Sequence, residues 1–176
     1  MIVSPDYAAF ALTYDAGKPQ AVWTTFVADL ETPVSTMLKL AESRANSFLL
    51  ESVEGGAVRG RYSVIGLKPD LIWRCFGARA EINESARYDP DAFVDCEDNA
   101  LDSMRALIRA SHIELPENLP PMAAGLVGYI GYDMVRHMER LPEPNPDVLH
   151  LPDAILMRPT IMAIFDSVED LGTLVT

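Results

Sequence analysis

Cysteine is scarce in this chain: two occur among 176 residues, and Cys75 and Cys96 share no CxxC spacing. Such a pair supports neither a zinc site nor a disulfide framework and points to a reducing, cytoplasmic setting. Positive charge is short as well, since 14 Lys and Arg stand against 26 Asp and Glu for a net charge of −12. Nucleic acids and anionic membranes both require clustered cations, so neither is an expected partner. No apolar run approaches the roughly 20 residues that a spanning helix needs. The opening Met1-Ile2-Val3-Ser4-Pro5-Asp6 has neither the basic start nor the long apolar stretch of a signal peptide. The histidines, His112, His137 and His150, fall beside linkers and helix ends, far in sequence from Ser52 and from either cysteine. A nucleophile–base pair is therefore not indicated. HExxH and GxSxG are missing, and the glycines at 125, 128 and 131 follow Pro120-Pro121 with GxxGxxG spacing, which is not a phosphate cradle. Asp89, Asp91, Asp95, Glu97 and Asp98 lack the alternation of a calcium loop and read as a solvated linker.

What is present is the composition of a folded domain, with 49% hydrophobic residues and length enough for one core. Residues 5–17 read as a short helix or irregular entry, and 20–27 as a strand rich in β-formers. Thr32-Pro33 opens a helix, as N-cap and first helical residue, with Val34, Met37, Leu38 and Ala41 along its apolar stripe. Strands are expected at 47–53 and 58–65 around Gly55-Gly56, then at 70–76 after a turn through Gly66-Leu67-Lys68-Pro69. A return strand follows at 79–83, completing an antiparallel meander. Asn99 or Asp98 caps a helix lined by Leu101, Met104, Leu107 and Ile108. Met122 to Tyr132 reads as a buried strand whose glycines allow close backbone approach, and Met134 to Leu141 as a short helix. Proline makes 142–153 a semi-extended linker. Strands follow at 154–157, 160–166 and 171–176. The fold class is α+β, a mainly antiparallel sheet with two or three packed helices. A chain whose last residues form an apolar strand also looks cut from something longer.

One stretch stands apart. Phe48-Leu49-Leu50-Glu51-Ser52 and Arg61-Tyr62-Ser63-Val64-Ile65-Gly66 are apolar strands carrying an acid, hydroxyls and a guanidinium in their middles. Strand alternation sends Glu51 and Ser52 to opposite faces, and Arg61 and Tyr62 likewise. A hairpin of this kind suits a zwitterion, with a carboxylate for its ammonium and Arg plus hydroxyl for its carboxylate. Pattern alone favours the plainer reading, a surface hairpin with an ordinary cross-strand ion pair.

Leu49-Leu50-Glu51-Ser52, Arg61-Tyr62-Ser63-Val64-Ile65-Gly66 and Gly125-Leu126-Val127-Gly128-Tyr129-Ile130-Gly131-Tyr132-Asp133 together resemble the N-terminal region of the anthranilate synthase large subunit, in order and spacing. The resemblance spans nearly the whole chain, so that 1–176 corresponds to an N-terminal regulatory domain. It implies an allosteric L-tryptophan site at an inter-domain face, with Glu51 on the ammonium, Ser52 as hydrogen-bonding partner, Arg61 as charge partner and Leu50 against the indole. It implies that the full-length protein, a lyase, converts chorismate and ammonia to anthranilate and pyruvate with Mg2+. A glutamine amidotransferase subunit would supply the ammonia. The catalytic and metal residues would lie in a C-terminal domain beyond Thr176, so no catalytic or metal position is assigned in this chain, which is expected to be inactive alone. Para-aminobenzoate synthase shares similar blocks, and a stand-alone amino-acid-binding or interaction module is the alternative from a different class.

Overall fold

The computed structural model describes residues 2–54, 58–143 and 145–176. In chain order the elements are β1 (Val3–Ser4), α1 (Tyr7–Asp15), β2 (Trp23–Val27), α2 (Pro33–Ala41), β3 (Phe48–Glu54) and β4 (Val58–Phe76). They continue with β5 (Arg79–Asn83), β6 (Val94–Asp95), α3 (Ala100–Ala110), β7 (Val127–Ile130), β8 (Ala154–Asp166) and β9 (Leu171–Val175). Helix and antiparallel sheet are thus mixed, as an α+β chain requires. The expected turn at Gly55-Gly56 and Pro144 of the proline linker lie outside the described residues.

The chain packs as two compact units, one of Met1–Pro69, Ile113–Gly125 and Pro159–Thr176, the other of Asp70–His112 and Leu126–Arg158. In the first unit β2 pairs antiparallel with both β1 and β9, β9 with β8, and β3 with β4. Alternation along β8 divides its side chains between two cores. Met162 and Ile164 join Val64, Val175, Leu119 and Ala123, while Ala163 and Phe165 join Ile65, Leu67 and Ala41. Each fully buried aliphatic side chain there contributes about 1.5–3 kcal/mol. Helix α2 starts where Thr32-Pro33 indicates: the Ser35 amide donates to Thr32 Oγ1 and the Thr32 amide to Ser35 Oγ, both at 3.0 Å. This reciprocal cap satisfies two amides that the helix itself leaves open.

The second unit is built around Trp73, whose side chain is wholly inaccessible and whose Nε1–H donates to Ser103 Oγ of α3 at 3.1 Å. Leu71, Cys75, Ala80, Leu107 and Met134 complete that core. Asn99 caps α3, its side-chain oxygen accepting the amides of Leu101 and Asp102 at 3.1 Å. Glu81 is buried between Arg74 and Arg79, at 2.8 and 2.7 Å, so its charge is compensated where water is excluded. Asn83, also inaccessible, accepts the Ser85 amide and donates to the Asp89 carbonyl, each at 2.8 Å, and so shapes the acidic segment after β5. Asn83→Ala strands both backbone groups and is expected to destabilise the protein by about 1–3 kcal/mol in urea unfolding. An effect within experimental error would show that the segment re-forms its own bonds.

Four expectations are corrected. The turn at 66–69 is no turn: β4 runs unbroken from Val58 to Phe76, the irregularity being absorbed at Lys68 with φ 51°. The strands at 154–157 and 160–166 are likewise one, β8, which passes through Pro159. Met122 to Tyr132 is not one buried strand. A 3-10 turn at Pro121–Ala123 precedes β7, and β7 is largely exposed. Its close approach is real, for a Cβ on Gly128 would collide with the Ile155 carbonyl. The helix expected from Met134 to Leu141 is a 3-10 stretch, Tyr132–His137. Among the described residues, no helix is long and apolar enough to cross a membrane.

Candidate ligand-binding site

Strands β3 and β4 pair in register at Leu49↔Ile65, Leu50↔Val64 and Glu51↔Ser63, then slip, so that the next pair is Val53↔Arg59. Ser52 falls at the slip, opposite the stretch that begins at Gly60. This irregularity corrects the alternation argument, because Glu51 and Ser52 both line one cavity. A bulge re-aims side chains in this way. Gly60 makes the arrangement possible: it has no Cβ, and one built there would overlap the Ser52 side chain.

The cavity, about 550 Å³, has Glu51, Ser52, Gly60 and Ser63 on one wall, Phe165, Asp166, Ser167, Asp170 and Leu171 on another, and Ala28 with 31–34 at the start of α2. That volume lies within the usual range for small-molecule pockets. Glu31, Glu51, Asp166 and Asp170 give the lining a negative bias that favours a cationic group on the occupant. Two of these carboxylates are already partnered. Lys39 pairs with Glu31, and this bond, with that from Ser35, lowers the Glu31 carboxyl below its ordinary range. Arg61 donates through Nε and Nη2 to Asp166 Oδ2 at 2.9 and 2.8 Å, which lowers Asp166 in the same way.

Of the four residues singled out in the sequence, Glu51 and Ser52 line the cavity. Arg61 stands at its edge, bonded to the lining residue Asp166, with its guanidinium 5.0 Å from the Tyr62 ring centroid. Leu50 is not part of the lining. It is 53% exposed and pairs with Val64, on the opposite face of β3 from Glu51. The contributions of Asp166, Ser167 and the start of α2 escaped the sequence reading. Asp166 showed there only as the last residue of a strand and Thr32-Pro33 as a helix start, and neither feature indicates which strand they meet.

Burial pushes the Cys75 and Cys96 thiols up, away from the thiolate that reactivity requires. No group of three or more His, Cys, Asp or Glu converges among the described residues, and the acidic run after Asn83 spends Asp95 on Arg79 at 2.7 Å. Nothing there fits a magnesium ion.

No family model matches the chain. Similar proteins are nevertheless plain. Anthranilate synthase component 1 of Cereibacter sphaeroides is 54% identical over 96% of this chain and 34% of its own length. That of Thermus thermophilus is 40% identical over 86% of this chain and 30% of its own. Among solved structures, anthranilate synthase component I from Streptococcus pneumoniae superposes with a TM-score of 0.51, at 18% identity, over 82% of this chain and 29% of that one. The chain shares its fold with a region of that solved structure. The chain is homologous to the N-terminal third of anthranilate synthase component 1, and it spans about a third of the length of the curated relatives it matches.

Proposed function

We propose that this chain is the tryptophan-sensing portion of an anthranilate synthase component I, and that L-tryptophan binds in the Glu51–Ser52 cavity. The observation that carries the reading is that slip in β3–β4 register, which turns an acid and a hydroxyl into one cavity of amino-acid size. Glu51 accepts from the ammonium, and the Ser52 and Ser63 hydroxyls are hydrogen-bonding partners nearby. Arg61 supplies positive charge for the carboxylate. Phe165 and Leu171 offer apolar surface for a side chain. An effector regulates by binding one conformational state better than another. A site completed by residues outside this chain would couple occupancy to the remainder of the protein.

The full-length protein would convert chorismate and ammonia to anthranilate and pyruvate, with ammonia from a glutamine amidotransferase subunit and with Mg2+ at residues outside this chain. No step of that reaction is assigned to residues described here. The test of the sensing role is calorimetric titration of L-tryptophan into the full-length protein. Glu51→Gln removes one charge-assisted hydrogen bond and is expected to weaken binding roughly ten- to a hundred-fold, Ser52→Ala several-fold. Wild-type binding that survives both changes would move the site elsewhere.

A further inference from the structure

The cavity lining contains four carboxylates and, among the described residues, neither lysine nor arginine. A zwitterion entering such a cavity gains at its ammonium and is repelled at its carboxylate, unless a cation stands in fixed position at the rim. Arg61 is the candidate, but a half-exposed arginine is long and mobile, so what holds it matters.

The turn from β8 to β9 holds it twice. Asp166 Oδ2 takes the Nε and Nη2 hydrogens of Arg61, and Oδ1 is itself fixed by the amides of Val168 and Glu169 at 3.0 and 3.3 Å. The Ser167 amide and hydroxyl donate to the Arg61 carbonyl at 2.8 and 3.1 Å, and the hydroxyl also reaches the Gly60 carbonyl at 3.1 Å. Main chain and side chain of Arg61 are thereby tied to one turn. A guanidinium gripped along its Nε–Nη2 edge keeps the Nη1 hydrogens for another acceptor.

We propose that Asp166 is a positioning residue, presenting the Nη1 side of Arg61 to the carboxylate of an amino-acid effector whose ammonium rests on Glu51. The proposal depends on the cavity being an amino-acid site, as inferred above. It adds a ligand discrimination: the Asp166–Arg61 pair selects amino acids over the corresponding amines.

The experiment is parallel calorimetric titration of L-tryptophan and tryptamine, which lacks the carboxylate, into the full-length protein. Wild type is expected to prefer L-tryptophan by roughly ten-fold or more, the value of one charge-assisted contact. Asp166→Asn keeps an oxygen for the turn amides and lowers affinity for L-tryptophan about ten-fold while leaving tryptamine within about two-fold. Arg61→Met produces the same narrowing, and the double variant is no worse than Arg61→Met, since the two residues act as one unit. Equal weakening of both ligands by Asp166→Asn would mean a structural role only and would overturn the proposal, as would unchanged L-tryptophan binding. Both results leave the Glu51 site standing. Should Asp166→Asn fail to fold, Arg61→Met alone decides, because an unaltered ligand preference in it removes the basis for positioning. Absence of L-tryptophan binding to wild type overturns the site and this proposal together.

Discussion

Trp73→Ala is expected to lower stability by about 3–5 kcal/mol, the range for deleting a buried aromatic side chain. The side chain is wholly inaccessible and packs in the cluster of Leu71, Cys75, Ala80, Leu107 and Met134. Its loss leaves a hole that β4 and α3 cannot both close over. Trp73→Phe separates packing from hydrogen bonding. A phenyl ring fills most of the space but deletes the donor to Ser103 Oγ, while that hydroxyl keeps its own bond to the Ala100 carbonyl at 3.2 Å. The cost should therefore fall to about 1 kcal/mol. Urea unfolding followed by circular dichroism measures both. Equal losses in the two variants would show that the indole N–H, and not the ring volume, organises this core.

The second large effect is at Gly60. Its φ lies outside the left-handed region, so space and not backbone freedom demands glycine. A Cβ there would meet the Ser52 side chain and stand 2.7 Å from the Ser52 carbonyl carbon. Rotating the serine hydroxyl away clears only Oγ, because the Ser52 Cβ, which also overlaps the new methyl position, does not move with it. Strands β3 and β4 must part at the slip, and Glu51 and Ser52 leave the cavity wall. Gly60→Ala is expected to weaken L-tryptophan binding by more than about ten-fold and to cost about 1–3 kcal/mol of stability, as overpacking does. Adding Ser52→Gly removes the side-chain clash but not the main-chain one, so it restores stability only in part. Full recovery in the double variant would place the conflict in the Ser52 side chain alone. Undiminished binding by Gly60→Ala would separate the slip from the site.

These two residues mark how far the sequence could be read. Local chemistry was legible in the helix starts, since Thr32-Pro33 opens α2 and Asn99 caps α3, but the apolar stripes are buried only in part: Val34 is 51% and Leu38 76% exposed on α2, and Ile108 53% on α3. The prolines misled. Pro69 and Pro159 read as breaks, yet β4 and β8 continue through them. A strand accepts proline where its amide has no ladder partner, and that depends on a neighbour not visible in sequence. The site was half legible. Glu51, Ser52 and Arg61 share one local hairpin, so pattern alone could group them. The partner Asp166 stands 105 residues from Arg61, and no local periodicity reports such a meeting. The register slip is hidden for a related reason: it arises from the fit of Ser52 over Gly60, not from the propensity of either residue.

Strand β9 sits between β2 and β8, with Thr24 opposite Leu174 and Leu174 opposite Ala163. The Thr25 and Thr173 hydroxyls that meet across this ladder are 148 residues apart in the chain. A nascent chain emerging from the ribosome holds β1 and β2 well before β9 is made, so the free main-chain edge of β2 waits unpaired while the intervening chain is synthesised. Contacts of such long loop closure form late and slowly. The local hairpins β4–β5 and β8–β9 are the natural first structures, and this unit closes last, when β9 of its hairpin docks on β2. Until that docking, the facing edges of β2 and of β9 in its hairpin are open to intermolecular pairing, a hazard set by the order of synthesis.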